Sequence, residues 1–421
     1  MLQTLFHVPV NWLIALWALA SVASIAWAAR QQGIRSALKG YLPTVLMLGA
    51  FIAFLLPALS EREGLPIRGY GVMLLVGLLS GVGLAMRRAR RLGLNPDMIQ
   101  VLAFWMVVAG IIGARAFYVI EYWRQYEQPR LLDTLKEIAN FTKGGLVVFG
   151  SAAGAGLALL AFVRKYNVPG LALADLIAPS VMLGLACGRI GCFFNGCCFG
   201  GACDEPWAVQ FPPGSPPYLA QAKAGKLAVF GLVLTSDAND RPLIKSVEAG
   251  SPAARAGLAP GQRLKRVVIN ELEYPIATVD AALIELQRAQ HTGDRVLVYV
   301  ADDSFESLPA SWTVTEPPGL TLPIHPAQLY AAIDAFLMCL LLLAYYPYRR
   351  RDGEVFALMV TIHPISRFLQ ECTRVDEASV FGTGLTISQN ASILMLLGAI
   401  GLWCYLWRRP KGSVWPLAAV A

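Results

Sequence analysis

The chain has 421 residues, of which 56% are hydrophobic and 15% are charged. Soluble domains carry about 25% charged and about 45–50% apolar residues, so this composition argues against a disordered chain and a fully soluble enzyme. The net charge of +7 is interpreted as orienting membrane helices and not as nucleic-acid binding, because its basic residues cluster between apolar segments.

Nine segments are apolar enough to cross a bilayer, which takes about 20 helical residues. They predict an all-α polytopic membrane protein. The eighth segment is the least regular, because His363, Pro364 and Arg367 interrupt it. In chain order the predicted spans are Val10–Ala29, Tyr41–Leu59, Gly69–Met86, Met98–Tyr118, Gly144–Val163, Leu171–Gly188, Gln328–Tyr346, Val355–Glu371 and Ala391–Trp407.

Basic residues are retained on the cytoplasmic side of a membrane, and here they follow spans one, three, five, seven and nine. This alternation predicts an outside N-terminus and a cytoplasmic C-terminus. No Lys or Arg precedes Arg30, so the first span is expected to be retained, although Ala26-Trp27-Ala28 resembles a signal-peptide cleavage site. The basic connections are 30–39, 87–91, 164–165, 349–351 and 408–411.

Residues 226–303, between the sixth and seventh spans, have the composition of a soluble module. Short β-like runs alternate with turn residues and one helical run, Val279–Gln290, which predicts a small, β-rich, partly open barrel on the outer side. Ser246–Gln262 contains Gly-Ser-Pro-Ala followed by Gly-Leu-Ala-Pro-Gly and resembles a bacterial PDZ domain.

The PDZ resemblance implies that an extended peptide binds beside a strand by β-augmentation, with a backbone nest for its terminal carboxylate. Val229–Leu232 would form the loop before that strand. The alternative is that the module only packs against the membrane domain or mediates dimerisation.

The sixth span leads into the segment Arg-Ile-Gly-Cys-Phe-Phe-Asn-Gly-Cys-Cys-Phe-Gly, residues 189–200. A charged Arg189 at a membrane boundary is costly unless it is paired or faces a polar cavity, although an arginine can also extend its head group to the interface. The glycines and Asn195 around it favour a shaped backbone close to a ligand.

This segment resembles the signature of prolipoprotein diacylglyceryl transferases, integral membrane enzymes of bacterial lipoprotein maturation. The family has Asn and Glu where this chain has Cys192 and Cys197, and it has His or Tyr where this chain has Phe149. The matching signature positions are Gly188, Arg189, Gly191, Phe193, Asn195 and Gly200.

The resemblance covers roughly residues 68–407 apart from the module, so seven spans form the family core and the first two are additional. The predicted domains are 1–67, 68–224, 225–304 for the PDZ-like insert, and 305–421. Further matching motifs are Arg68-Gly69-Tyr70-Gly71, Gly113-Ala114-Arg115 with Tyr118, Ala174-Asp175 with Ile177-Ala178-Pro179, Phe211-Pro212, His325-Pro326-Ala327-Gln328-Leu329-Tyr330, Arg367-Phe368 with Glu371 and Arg374, and Leu385-Thr386-Ile387-Ser388-Gln389.

The resemblance implies transfer of a diacylglyceryl group from phosphatidylglycerol to the lipobox cysteine of prolipoproteins, at the outer face of the bacterial cytoplasmic membrane. The product is a thioether, and glycerol phosphate is released. Phosphatidylglycerol and prolipoprotein signal peptides are the expected partners, beside an extended peptide at the module. No cofactor and no metal are expected.

The departing phosphate needs cations, and arginine matches phosphate oxygens with two parallel donors. Arg189 and Arg367 are the first candidates. Glu371 lies one helical turn after Arg367 and could orient it. His325 is the candidate for proton transfer, or alternatively a residue that only starts a helix, and Asn195 completes the candidate catalytic set.

A further set of residues is expected to contact the substrate or stabilise the span. Two tyrosines among them could bind the lipid head group or belong to the interfacial aromatic belt. Asp175, inside a span, is expected to be the buried partner of a cation. The substrate-binding candidates are Tyr70, Arg115, Gly200, Tyr330 and Arg374.

The cysteines near the signature admit three interpretations. One disulfide, between Cys192 and either Cys197 or Cys198, is favoured because the segment lies on the oxidising side in the predicted topology. Free packing thiols are the next interpretation. A metal site has the weakest support, because neither a zinc-like C-x-x-C repeat nor a histidine accompanies the cysteines.

Two other functions compete with the transferase. A zinc protease would need His-Glu-x-x-His, which the sequence lacks, and a serine protease could use only Ser151 with His363, without a matching signature. A non-catalytic relative that binds lipoprotein precursors or lipid is the stronger alternative, motivated by Phe149, Cys192 and Cys197.

Overall fold

The computed structural model describes residues 4–34, 45, 49, 64–127, 130–139, 145, 147–237, 239–301, 309–375, 377, 379–380 and 382–415. The predicted second span, Tyr41–Leu59, lies outside these residues except for two isolated positions. The chain divides into two units. The first comprises Met1–Met73, Ile190–Gln328 and Arg374–Asp376, and the second comprises Leu74–Arg189, Leu329–Thr373 and Glu377–Ala421.

The first unit begins with strand β1 (Thr4–Val8), which pairs antiparallel with β2 (Leu65–Arg68). Helix α1 (Val10–Gln32) follows β1, and its only basic residue in the last turn is Arg30. Helix α2 (Gly69–Arg91) starts directly after β2 and continues into the second unit.

A β-rich domain makes up most of the first unit. Its six strands are antiparallel in the order β3-β4-β5-β7-β8, with β6 paired to β5. Three short helices accompany the sheet. The elements are α8 (Pro216–Lys223), β3 (Leu232–Ser236), β4 (Pro242–Val247), α9 (Pro252–Arg255), β5 (Arg263–Ile269), β6 (Leu272–Pro275), α10 (Val279–Leu286), β7 (Arg295–Ala301) and β8 (Ala310–Thr313).

Buried and more exposed side chains alternate along the strands, and the buried ones form the core of this domain. In β7, Val296, Val298 and Val300 are buried while their neighbours are more exposed, as a half-buried strand requires. The same core includes Tyr218 of α8 and Ala310 of β8. The β-rich domain therefore takes in residues on both sides of the predicted 225–304 insert.

The helices of the second unit account for its apolar composition. Among the described residues, six helices are long and apolar enough to cross a membrane, and three of them begin or end in the first unit. They are α2, α3 (Asp97–Glu121), α6 (Val148–Tyr166), α7 (Gly170–Asn195), α11 (Ala327–Tyr345), which a 3₁₀ turn extends to Tyr348, and α13 (Ile387–Trp407). The multi-pass prediction is confirmed at this level.

Three further helices of the second unit are shorter or less apolar. The predicted eighth span is a helix, α12 (Glu354–Glu371), with Pro364 inside it. It is not one of the six, which fits its polar interruptions. Two short helices, α4 (Trp123–Tyr126) and α5 (Leu131–Ala139), lie between α3 and α6.

Helices α3 and α6 pack through small residues. A side chain at Gly113 would meet the carbonyl oxygen of Gly150, and one at Gly154 would meet the carbonyl oxygen of Ala109. Such positions allow two helix backbones to approach closely inside a membrane. The glycines of α6 therefore hold the two helices together.

Asp175 anchors the N-terminal end of α12. Its carboxylate accepts hydrogen bonds from the backbone N–H groups of Gly353 and Phe356, both at 2.8 Å. The Nε atom of Arg349 lies 3.7 Å from the same carboxylate, and both side chains are buried. The prediction of a buried cation partner for Asp175 is thus confirmed, and the pair stabilises a helix start.

Candidate active site

A polar cluster in the second unit forms around Arg367, near the C-terminal end of α12. Its Nη1 atom lies 2.6 Å from a carboxylate oxygen of Glu371, one helical turn later. Its Nη2 atom donates to the hydroxyl of Ser388 at 2.9 Å and lies 4.0 Å from Glu377. The Glu371 side chain is 1% exposed and that of Arg367 is 14% exposed, so the pair is held away from bulk solvent.

The start of α13 supplies the other side of this cluster. Thr386 and Gln389 form a capping box, in which each side chain accepts a hydrogen bond from the other residue's backbone N–H. This cap fixes Ser388 in the first turn of α13. The hydroxyl of Ser388 in turn donates to Glu377 at 3.0 Å. The predicted turn before the last helix therefore positions a contact of Arg367.

Arg189 lies near the C-terminal end of α7 and is half-buried. Its side chain has no hydrogen bond or ion pair to any residue in the described part of the chain. The charges of Arg189, Arg367 and Asp334 all act on the ring of His363, so these side chains share one neighbourhood. An arginine that the protein itself leaves unpaired is a ready binding group for an anion.

His363 and Asp334 are polar residues of this neighbourhood to which the sequence motifs assign no role in the transferase reaction. The Nδ1 atom of His363 is buried and has no hydrogen-bond partner among the described residues. Ser366 donates to Asp334 at 2.8 Å and to the carbonyl of His363 at 3.1 Å. The available signal was Asp334 itself, a carboxylate inside a strongly apolar span.

In the first unit, the signature segment brings three cysteines together. The Sγ atoms of Cys192, Cys197 and Cys198 all lie within 4.8 Å of one another. Gly196 and Cys198 adopt left-handed φ angles of 78° and 59°, which turn the chain back onto the last turn of α7. No sulfur–sulfur bond joins them, so the favoured disulfide is not observed, and the free-thiol and metal-site interpretations both fit this arrangement.

Hydrogen bonds from neighbouring side chains fix the turn at residues 195–198, which is called the cysteine turn below. Asn195 makes a side-chain hydrogen bond to Cys197, and the amide of Gln328 donates to the carbonyl of Cys197 at 2.8 Å. Hydrogen bonds with the Cys192 and Cys198 thiols lower the pKa of the Cys197 thiol.

The main chains of three predicted site residues meet beside this turn. The N–H of Gly200 donates to the carbonyl of His325 at 3.1 Å, and the N–H of His325 donates to the carbonyl of Gly201 at 2.9 Å. Gly200 also forms a β-bridge with Arg374. The structure thus places His325, Gly200 and Arg374 next to each other in the first unit.

The remaining substrate-binding candidates, Tyr70, Tyr330 and Arg115, lie outside the clusters described above. Tyr70, in the first turn of α2, approaches Gly191 so closely that an added Cβ would be 3.1 Å from its ring. Tyr330 is half-buried on α11. Arg115 donates to the carbonyls of Ile138, Glu137 and Gly145 at 2.9, 3.0 and 3.2 Å, so its guanidinium holds the chain between α5 and α6.

The fold and these clusters define a polytopic membrane protein with a buried arginine–carboxylate pair and an unpaired arginine near its helix ends. The profile of the prolipoprotein diacylglyceryl transferase family matches residues 57–405. The chain therefore belongs to this family.

Individual relatives carry the name phosphatidylglycerol–prolipoprotein diacylglyceryl transferase. The protein of Rhodopirellula baltica is 29% identical over 452 aligned residues, which cover 97% of this chain and 90% of the relative. The protein of Trichormus variabilis is 38% identical over 165 residues, 39% of this chain and 57% of the relative. The protein of Clostridium tetani is 35% identical over 156 residues, 37% of this chain and 60% of the relative.

Proposed function

We propose that the chain is an active transferase that moves a diacylglyceryl group from phosphatidylglycerol to the lipobox cysteine of a prolipoprotein. A thioether forms and glycerol phosphate leaves. Family membership over residues 57–405 and a named relative that aligns with 97% of the chain support this activity over a non-catalytic role.

The observation that carries the proposal is the unpaired guanidinium of Arg189. A charged group at the edge of an apolar helix is costly without a partner, and no described residue supplies one. The phosphate of phosphatidylglycerol would supply two oxygens in the geometry that arginine matches. Arg189 is therefore assigned to the substrate phosphate.

Arg367 is assigned to the charge that develops as the glyceryl carbon–oxygen bond breaks. Glu371 and Ser388 hold its Nη1 and Nη2 atoms at 2.6 and 2.9 Å, so the guanidinium is oriented before the substrate arrives. Preorganised charge of this kind stabilises a transition state without reorganisation. Glu371 acts through Arg367 and is a positioning residue.

Removal of the thiol proton is the step for which this chain departs from its family. Phe149 has no group that could accept a proton. His325, beside the cysteine turn, is assigned to this step from its motif, and His363, beside Arg189 and Arg367, is the alternative that the side-chain neighbourhood favours.

The topology belongs to the same proposal. Nine spans place the N-terminus and the β-rich domain outside and the C-terminus in the cytoplasm, as the distribution of basic connections indicates. Tyr70, Arg115, Tyr330 and Arg374 remain proposed contacts of the lipid substrate.

The β-rich domain is proposed to be a PDZ-like module. Strand β3 lies at the edge of the sheet, and Phe230 and Gly231 before it have φ angles of 54° and 87°, as a carboxylate-binding turn would need. A pocket of about 320 Å³ lies between β3 and α10, and α8 closes one side through an ion pair of 2.9 Å between Lys223 and Asp280. An extended peptide would bind in this pocket.

Complementation tests the transferase activity. The full-length chain replaces the enzyme of a bacterium depleted of its own transferase, and the mass of a model prolipoprotein is measured. We expect growth and a mass increase of one diacylglyceryl group. A chain that is well expressed and inserted in the membrane but modifies no precursor would refute the proposal.

Arginine variants test the assigned roles in the same strain. Arg189→Ala and Arg367→Ala should abolish rescue, whereas Arg90→Ala, an exposed arginine at the end of α2, should rescue normally. Normal lipidation by Arg189→Ala would contradict the phosphate assignment. Deletion of residues 216–314, which contain the whole core of the β-rich domain, tests the module, and unchanged lipidation of every precursor would reduce it to a spacer.

A further inference from the structure

The three thiols at the end of α7 have the separation that one metal ion needs. A zinc ion binds sulfur at about 2.3 Å, and a tetrahedral site therefore places two sulfur ligands about 3.8 Å apart. The Sγ atoms of Cys192, Cys197 and Cys198 lie within 4.8 Å of one another. A contraction of about 1 Å at most completes a three-thiolate site.

The backbone brings the thiols together at a cost. Cys198 has a φ of 59°, a left-handed conformation that is unfavourable for a residue with a side chain. Such outliers persist where the surrounding structure requires them and concentrate at functional sites. A disulfide would use only two of the three sulfurs, so it does not account for the convergence of all three.

The neighbours of the turn point to a bound group. The side chain of Gln328 is buried; its amide nitrogen binds the carbonyl of Cys197, and its Oε1 atom has no hydrogen-bond partner among the described residues. A buried amide oxygen is normally satisfied by a donor, and a metal-bound water molecule is such a donor. Phe193 and Phe211 pack beneath the turn with ring centroids 5.9 Å apart.

We propose that Cys192, Cys197 and Cys198 bind one Zn²⁺ ion through three thiolates and leave its fourth position open to the thiol of a substrate cysteine. In the described part of the chain, no further Cys, His, Asp or Glu ligand atom joins the group. The three cysteines are half-buried, so an external ligand can reach them. Three protein ligands with one open position characterise catalytic zinc sites.

The open position of the zinc ion could deprotonate the substrate thiol, a step that the transferase reaction requires. This step rests on the proposed function. A thiol that coordinates zinc is deprotonated, and its proton passes to solvent. The sulfur then attacks the glyceryl carbon, the sulfur–carbon bond forms, and the carbon–oxygen bond breaks with its electron pair on the leaving glycerol phosphate. Zinc keeps its oxidation state.

Metal analysis of the purified chain tests the site independently of activity. The full-length protein in detergent is supplied with one equivalent of Zn²⁺, desalted, and analysed by mass spectrometry for zinc. We expect about one zinc per chain. Replacing Cys192, Cys197 or Cys198 by Ser should weaken the affinity measured against a chelator by more than about 100-fold. Cys187→Ser, a half-buried cysteine of the same helix, is the matched control and should retain wild-type affinity.

Two outcomes of this experiment would overturn the site. One is a protein that retains no zinc and whose intact mass is lower by two hydrogen atoms, which would indicate a disulfide. The other is a zinc content that the three serine substitutions leave unchanged, which would indicate an adventitious ion only.

The open position has its own spectroscopic test. Cobalt replaces zinc, and a lipobox peptide is added to the detergent-solubilised chain. A cysteine peptide should strengthen the cobalt–thiolate absorption, whereas the same peptide with serine should not. Equal spectra with both peptides would refute substrate coordination. Transfer by a zinc-free chain would also refute it while leaving the transferase activity intact, and zinc binding without transfer would refute only the proposed function.

Discussion

The substitution Glu371→Gln tests whether Glu371 orients Arg367, because it weakens the contact that holds the guanidinium and leaves the charge of Arg367 in place. The substitution preserves the shape of the side chain but removes the carboxylate that lies 2.6 Å from Nη1 of Arg367. The guanidinium keeps its hydrogen bond to Ser388 at 2.9 Å and the weaker attraction of Glu377 at 4.0 Å. We therefore expect an inserted protein whose Arg367 is held less firmly.

The expected loss of transfer rate follows from the strength of the hydrogen bond between Glu371 and Arg367. A hydrogen bond between charged groups contributes about 1.5–3 kcal/mol, and each 1.36 kcal/mol changes a rate tenfold. Loss of the Glu371 contact should slow transfer about 10- to 150-fold. Because Arg367 is assigned to charge that develops in the transition state, the effect should fall on kcat more than on KM.

The assay measures transfer to a lipobox peptide in phosphatidylglycerol liposomes as a function of peptide concentration. Glu377→Gln is the matched control, because its carboxylate lies farther from Arg367 and its side chain is 27% exposed; a loss of less than about fivefold is expected, as for an exposed ion pair. Wild-type kcat in Glu371→Gln, or a loss confined to KM, would refute the positioning role.

Three further substitutions test the fold. Asp175→Ala removes the acceptor of two buried N–H groups and the partner of Arg349 and should destabilise the protein by about 3–5 kcal/mol; an unchanged thermal unfolding temperature in detergent would contradict this. Gly154→Leu should separate α3 from α6 and sharply lower the amount of inserted protein, whereas normal accumulation would show that the glycine contact is dispensable. Tyr218→Ala removes a fully buried side chain from the β-rich core at a cost of about 3–5 kcal/mol and should expose 216–223 to limited proteolysis; resistance equal to wild type would exclude that packing role.

The apolar spans were predictable because length and hydropathy depend on local sequence alone. The start of one span does not follow from hydropathy. The predicted helix from Gly144 begins at Val148, because Gly145 has a φ of 86° and its carbonyl is bound by Arg115. The hairpin between β5 and β6 has no clear sequence signal, because its turn uses Asn270 and Glu271 at φ angles of 48° and 71°, where a glycine would indicate a hairpin.

The candidate site was predicted in part. The Arg367–Glu371 pair follows from a spacing of four residues on one helix, and the structure contains this ion pair at 2.6 Å. The convergence of Cys192, Cys197 and Cys198 depends on two left-handed residues, which residue spacing does not reveal. The proximity of His363 to Arg189 and Asp334 likewise depends on contacts between helices that are far apart in sequence.

The most direct test of the central claim is the mass of a lipobox peptide incubated with the purified chain in phosphatidylglycerol liposomes. We expect a mass increase of one diacylglyceryl group with the wild-type chain. Arg189→Lys should be at least about 100-fold slower, because lysine cannot bind two phosphate oxygens with a planar pair of donors. An unmodified peptide with folded wild-type protein would contradict the transferase activity, and an equal rate with Arg189→Lys would contradict the assignment of Arg189 to the substrate phosphate.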